Sequence, residues 1–292
     1  MVRYLISSLV LLWISLPAMA APLQVVASIY PLKLIAESIL GSRGEVTTLL
    51  PKGQSPHDFA LKVSDRRKLA DAELLLWVSP SLEPYLAGIA AGQRSVSVSD
   101  ESSSDMPSSH REHSHQQDPH LWLSLTEVEL FTRQLTNDLI ALDPANGDEF
   151  RVNAERFIEG IQSIPFAHSA IAEPRPYAVA HRAYDHFLES FSFPQPIVLS
   201  ESPEISPGAR SLWRASQSLE RGNCLIVDSS NSQRWLMAFA QRNKLTVKRV
   251  DLMGVEPGVS TYKVLIERMA EVFESCSRRE KGEEKTPALV NK

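Results

Sequence analysis

The chain has 292 residues, 43% hydrophobic and 22% charged, with 30 basic against 35 acidic side chains and a formal net charge of −5. That is an ordinary globular composition, long enough for one large domain or two of about 130 residues. Twelve Gly and 19 Pro without a period exclude a collagen-like or low-complexity chain, and the acidic balance argues against a nucleic-acid binder that works by neutralising phosphate.

The first twenty residues set the compartment. Arg3 gives a short positive start, and Tyr4 to Pro17 is an apolar stretch too short, with its flanks, to span a bilayer. Ala18-Met19-Ala20 is a small-residue cleavage site. Residues 1–20 read as a secretory signal peptide, with an N-terminal membrane anchor as the alternative. Ala21, not Cys, follows the cut, so no lipid is expected there, and no later stretch is apolar enough to be membrane-spanning. An exported chain with two Cys suggests one disulfide, Cys224–Cys276. It would close a loop of about 50 residues and contribute about 4 kcal/mol on the chain-entropy account. A pair of unpaired buried thiols is the alternative.

From there strands and helices alternate. Gln24–Ser28 is a short apolar strand, Pro31–Leu40 has helical periodicity and stops at Gly41, and Glu45–Leu50 is rich in β-branched residues. Ser64–Ala72 reads as a helix with Ser64 at its N-cap. Leu74–Val78 is a wholly apolar strand and Ser95–Val98 another. Continuous apolar strands between helices point to a buried parallel sheet. Residues 99–117 are Ser, Asp, Glu and His without an apolar period, and are expected to form a mobile loop.

Structure resumes at His120, followed by a helix from Ser124 to Leu142 that Asp143-Pro144 breaks. Asn146 to Ala172 reads as one helix of about 27 residues, about 40 Å long, kinked at Pro165. The alternation then restarts with strand Tyr177–Ala180, helix Ala183–Ser190, strand Pro196–Leu199 and helix Pro207–Arg221. Strand Leu225–Asp228, helix Asn231–Asn243, strand Thr246–Asp251 and helix Thr261–Ser277 complete it. The fold class is α/β: two Rossmann-like βα lobes, each with a mainly parallel sheet, joined by a long connecting helix. The expected divisions are an N-terminal lobe over 21–142, the connecting helix over 143–174, a C-terminal lobe over 175–277 and a charged tail over 278–292.

Ligands in open α/β sheets bind outside the carboxyl ends of strands. His57 follows the Glu45–Leu50 strand, His181 follows Tyr177–Ala180, Asp251 ends Thr246–Asp251, and His120 enters from the edge of the His-rich loop. Three imidazoles and a carboxylate suit tetrahedral Zn2+, although spacing alone is weak evidence over so long a span.

The residues around these positions carry a resemblance. Ser55-Pro56-His57-Asp58-Phe59 with Ser64-Asp65, and Asp118-Pro119-His120-Leu121-Trp122, resemble segments of the metal-binding periplasmic proteins of ABC transporters. So do His181-Arg182-Ala183-Tyr184-Asp185-His186-Phe187 and Ser202-Pro203-Glu204-Ile205-Ser206-Pro207-Gly208-Ala209, in the right order over nearly the whole mature chain. A His-rich loop before the second motif is similar to the zinc subgroup, the ZnuA type, and the two Cys fall where that subgroup carries its disulfide.

The resemblance implies that His57, His120 and His181 ligate zinc between two lobes that close on it, with a rigid connecting helix limiting the hinge. Three departures stand out: Pro56 where some zinc members carry Glu, Arg182 in place of the usual Asp, and Pro165 in the connecting helix. The fourth ligand is open between Asp251 and water. Glu204 is a candidate acceptor for an imidazole N–H behind the ligands. His110, His113 and His115, with Glu112 and Asp118 nearby, form either a weak zinc-collecting arm or a polar linker without a role. His168 and His186 fall on predicted helices as packing or surface residues, and Trp122 and Tyr184 are expected to pack around the site.

The resemblance further implies a monomer in the periplasm of a Gram-negative bacterium that captures Zn2+ and hands it to an inner-membrane ABC permease. No P-loop is present, so a separate ATPase subunit must supply energy. A manganese or iron carrier of the same family is the nearest alternative. A secreted zinc hydrolase is a more distant one, since no H-E-x-x-H and no G-x-S-x-G occurs. A surface adhesin or metal store is disfavoured by the missing lipid-anchoring Cys and the lack of repeats.

Overall fold

The computed structural model describes residues 22–99, 118–164, 174–229 and 233–278. The expected signal peptide, the loop with His110, His113 and His115, Pro165, His168 and the C-terminal tail lie outside the described residues.

Strand β1 (Leu23–Ala27) pairs in parallel with β2 (Gly44–Thr48) on one side and β3 (Leu74–Trp77) on the other, and β3 pairs with β4 (Ser95–Ser97). The second sheet repeats the plan. Strand β5 (Ala178–Val179) lies between β6 (Ile197–Val198) and β7 (Cys224–Asp228), and β7 pairs with β8 (Thr246–Val250). The orders are β2-β1-β3-β4 and β6-β5-β7-β8, all parallel, so the two-lobed α/β class holds. Apolar residues at every position of β3 and all five buried residues of β7 explain the central strands, which are covered on both faces.

Helix α1 (Tyr30–Leu40) buries Leu32, Ile35, Ala36 and Ile39, one face at helical spacing, and ends at Gly41, whose φ of +55° favours glycine. Helix α2 (Val63–Asp71) has its N-cap at Lys62, two residues before the expected Ser64 cap. The Lys62 N–H is instead met by the Asp65 carboxylate at 2.9 Å, which leaves Ser64 inside the helix. Helix α3 (Pro84–Ala90) was not anticipated between β3 and β4. Its seven residues are too few to show a period, and Pro84 and Gly88 read as loop chemistry.

Ahead of α3, Glu83 is fully buried, and its Oε2 accepts the Val78 N–H at 2.6 Å. Its Oε1 and the Ser28 hydroxyl are buried without a hydrogen-bond partner among the described residues. Burial raises the Glu83 carboxyl to about 7, with the Ser28 and Tyr85 hydroxyls and the Val78 and Ser79 N–H groups pulling the other way.

Helix α4 (Leu125–Leu142) opens on Ser124, whose hydroxyl accepts the Glu127 N–H at 3.2 Å. Helix α5 (Gly147–Gln162) stops well short of the expected Ala172. The α conformation is disfavoured for the residue before Pro165, and the helix has already closed at Ser163. Nor is α5 a free strut. It lies on α1 and α4, with Phe150, Ala154, Ile158 and Ile161 buried and Asn153 Nδ2 donating to the Ile39 carbonyl at 3.0 Å.

In the second lobe follow α6 (Asp185–Phe191), α7 (Ala209–Ser218), α8 (Arg234–Asn243) and α9 (Tyr262–Ser277). The disulfide Cys224–Cys276 is present, with a Cα–Cα distance of 5.5 Å, and ties the start of β7 to the end of α9. Phe273 of α9 gathers Tyr177, Tyr184, Phe187 and Phe193 at ring-centroid distances of 5.1–5.9 Å. These aromatics belong to one continuous core that also holds Leu32, Leu75 and Trp122 of the first lobe. A smaller core, with Leu225, Val227, Leu236 and Phe239, packs the other face of the second sheet. No helix among the described residues is long and apolar enough to cross a membrane.

Candidate metal centre

The strand ends of both sheets converge on a cavity of about 420 Å3. His57, His120 and His181 line it, with Trp122, Leu252 and Met253 as apolar walls and Glu204 and Asp228 as carboxylates. His57 sits in a single helical turn, Pro56–Asp58, after β2, where the Ser55 hydroxyl accepts the His57 N–H at 3.2 Å. His181 lies two residues past the end of β5, and the Ala180 N–H between them still bonds the Ile226 carbonyl at 3.0 Å. His120 precedes the turn Leu121–Leu123 that leads into α4.

The three rings are neighbours. His57 Nε2 and His120 Nε2 are 3.2 Å apart, and the His120 ring centroid lies 5.1 Å from that of His57 and 5.7 Å from that of His181. They do not yet form a closed ligand sphere: among the described residues no three His, Cys, Asp or Glu side chains are gathered tightly enough to hold an ion.

Asp118 lies behind His120. Its Oδ1 accepts from both the His120 N–H, at 3.0 Å, and the ring Nδ1–H, at 2.5 Å. With Nδ1 protonated, a neutral His120 carries its lone pair on Nε2, facing the cavity, and His57 supplies the hydrogen of the Nε2···Nε2 contact. This carboxylate-backed imidazole is the arrangement that orients metal-binding histidines. Burial pushes the Asp118 carboxyl up, but the hydrogen bonds and charge of His120 outweigh it and hold the group at about 2. Burial, then the charges of His120 and His57, depress His181 to about 3, so its imidazole is neutral at any physiological pH. Its Nδ1 has no hydrogen-bond partner among the described residues.

Two expected carboxylates take other places. Asp251 does not line the cavity. Its Oδ1 accepts the Met253 N–H at 3.0 Å and its Oδ2 the Glu256 N–H at 2.7 Å, so both oxygens hold the turn after β8. The carboxylate from a strand end that does line the cavity is Asp228, at the end of β7. Sequence reasoning passed over Asp228, although it too closes an apolar strand. Glu204 lines the cavity as an exposed residue hydrogen-bonded by the Ser202 hydroxyl, and the acceptor for the His120 N–H groups is Asp118 instead.

Arg182 turns out to be neutralised. Its Nε donates to Glu201 at 2.7 Å and its Nη1 to Asp185 at 2.8 Å, and these hydrogen bonds raise its pKa further. Trp122 and Tyr184 pack on the site as expected, with ring centroids 5.0 Å from His120 and 6.3 Å from His181. The Tyr184 hydroxyl is buried without a partner among the described residues, and burial, then the charges of Asp228 and Asp118, push its pKa up.

Two parallel βα lobes with imidazoles gathered at the strand ends between them define the class: a two-lobed binding component that carries a metal. The family model described as zinc-uptake complex component A, periplasmic, matches residues 25–276, and the chain belongs to that family. Among curated relatives, the high-affinity zinc uptake system protein ZnuA of Yersinia pestis is 25% identical over 295 residues, covering 89% of this chain and 93% of its own. The manganese-binding lipoprotein MntA of Halalkalibacterium halodurans is 28% identical over 176 residues, 59% of this chain and 58% of its own. Of solved structures, the periplasmic zinc-binding protein TroA from Treponema pallidum shares the fold. Its TM-score is 0.74 at 18% identity, over 89% of this chain and all of that one.

Proposed function

We propose that the protein captures Zn2+ through His57, His120 and His181 and delivers it, as a monomer in the periplasm, to an inner-membrane ABC permease driven by a separate ATPase subunit. The observation that carries this reading is the meeting of the three imidazoles at one cavity, with His120 oriented by Asp118. Neutral nitrogen donors suit Zn2+, while Mn2+ favours carboxylate and other oxygen ligands. The family includes a relative named for manganese, so the fourth donor bears on selectivity. Because Asp251 does not line the cavity and its carboxylate is held on the turn after β8, we assign the fourth position to water rather than to Asp251. His110, His113 and His115 are proposed as a weaker collecting arm.

Competitive titration of the mature protein with zinc, manganese and iron, with elemental analysis of protein purified without added metal, tests the reading. Zinc is expected to bind most tightly, and His57→Ala and His181→Ala to weaken it by orders of magnitude. Unchanged zinc affinity in both variants refutes the ligand assignment, and preferential manganese loading refutes the cargo.

A further inference from the structure

The segment from Asp118 to Leu125 runs into the first lobe's α4, yet its polar contacts reach repeatedly into the second lobe. Asp118 Oδ2 accepts the Asp185 N–H at 2.9 Å, at the start of α6, and the Asp118 carbonyl accepts from His186 Nε2 at 2.9 Å. Trp122 donates its Nε1–H to the Leu252 carbonyl at 3.0 Å, and its own carbonyl accepts the Tyr262 hydroxyl at 2.7 Å. The Leu125 N–H ends on the Ser190 hydroxyl at 3.1 Å. Asp118, His120 and Trp122 are all buried. The His57 turn is held differently, by its own Ser55 hydroxyl and by Phe59 packing at 5.7 Å on Tyr85, all within the first lobe.

We propose that Asp118 is a positioning residue that fixes His120 to the second lobe. One carboxylate oxygen holds the imidazole with the Nε2 lone pair turned toward the cavity and His57, and the other holds the start of α6 beside His181. His120 and His181 thereby keep one mutual geometry, and His57 is brought to them from the other lobe. The proposal rests on the zinc reading of the three histidines. The carboxylate is needed because three N–H groups converge on two oxygens. An amide offers a single acceptor oxygen, so either the ring or α6 would face an NH2. An amide turned the other way would ask His120 Nδ1 to accept, moving the ring proton to Nε2, where the metal must bind.

The test combines 15N-histidine NMR with zinc affinity measured by competition against a fluorescent chelator. Metal-free wild type is expected to hold His120 as the Nδ1–H tautomer and to keep it on zinc loading. Asp118→Asn is expected to bind zinc about ten- to a hundredfold more weakly and to lose the single tautomer. Trp122→Phe removes the Nε1–H to Leu252 together with part of the buried ring packed on His120. It is expected to keep the tautomer and weaken zinc by about three- to tenfold, on the order of one lost hydrogen bond.

A His120 Nε2–H tautomer in wild type overturns the proposal, as does an Asp118→Asn protein that binds zinc within about threefold of wild type with its tautomer intact. Should Asp118→Asn fail to fold, the wild-type tautomer and Trp122→Phe decide alone, and wild-type affinity in Trp122→Phe overturns the tie to the second lobe. The tautomer is read on metal-free protein, so failure of zinc binding in wild type refutes the zinc reading separately.

Discussion

Glu83→Gln isolates a buried acid that supports the His57 side of the cavity. Glu83 lies one residue before Pro84, and Tyr85 packs on Phe59, two residues from His57. Burial raises its carboxyl from 4.5 to about 7. The folded pKa exceeds the unfolded one, so the native state binds the extra proton between those values. The associated stability is complete below about pH 4.5, falls as pH rises toward 7, and is gone above it. The rise from 4.5 to about 7 in this fully buried group corresponds to about 3 kcal/mol.

Glutamine has the shape of the protonated acid. Its oxygen can accept the Val78 N–H, and its NH2 can meet the Ser28 hydroxyl. The assay is thermal unfolding of both proteins from pH 4.5 to 8.5. The two melting temperatures should nearly coincide at pH 4.5. The variant should lead by several degrees, about 6–12 °C on usual size scaling, above pH 7. All other titrating groups cancel in the difference. A gap that stays constant with pH would show that Glu83 is ionised throughout and that burial is not governing it.

Further outcomes follow from the disulfide and from Asp251. Replacing Cys224 and Cys276 by Ser opens a loop with a sequence separation of 52 residues and should cost about 4 kcal/mol in denaturant unfolding. A loss below about 1 kcal/mol would show that packing of α9 alone holds that edge. Asp251→Ala should lower stability by about 1–3 kcal/mol, because two backbone N–H groups lose their acceptor, while zinc affinity changes by less than about threefold. A loss of affinity by orders of magnitude, measured by the same chelator competition, would restore Asp251 as the fourth ligand.

What the sequence showed, and what it hid, divides along local and non-local physics. Apolar runs such as Leu74–Trp77 and Cys224–Asp228 declare buried parallel strands on their own, and so the alternation of two lobes was legible. Each of the three histidines was legible because it directly follows a strand or a Pro-bounded turn. Strand order was not legible. Asp228 and Asp251 both close strands of the second sheet, and nothing local distinguishes them. The order β6-β5-β7-β8 does, because β7 is the neighbour of β5, which leads into His181 two residues on, whereas β8 is at the edge.

Asp251 then does what an Asp at a strand end commonly does, bonding the N–H two residues on, and stays with its own backbone. The same local habit, at Asp118-Pro119-His120, was a readable signal. An Asp that bonds the N–H two residues ahead brings its carboxylate beside that residue's side chain, and here the residue is a histidine. Grouping Asp118 with the acids near His110, His113 and His115 hid this. Its second contact, to Asp185 across 67 residues, lies beyond any local reading. The two kinds of contact meet in one carboxylate, and this is why substitution at Asp118 is expected to disturb the placing of the histidines although Asp118 itself does not line the cavity.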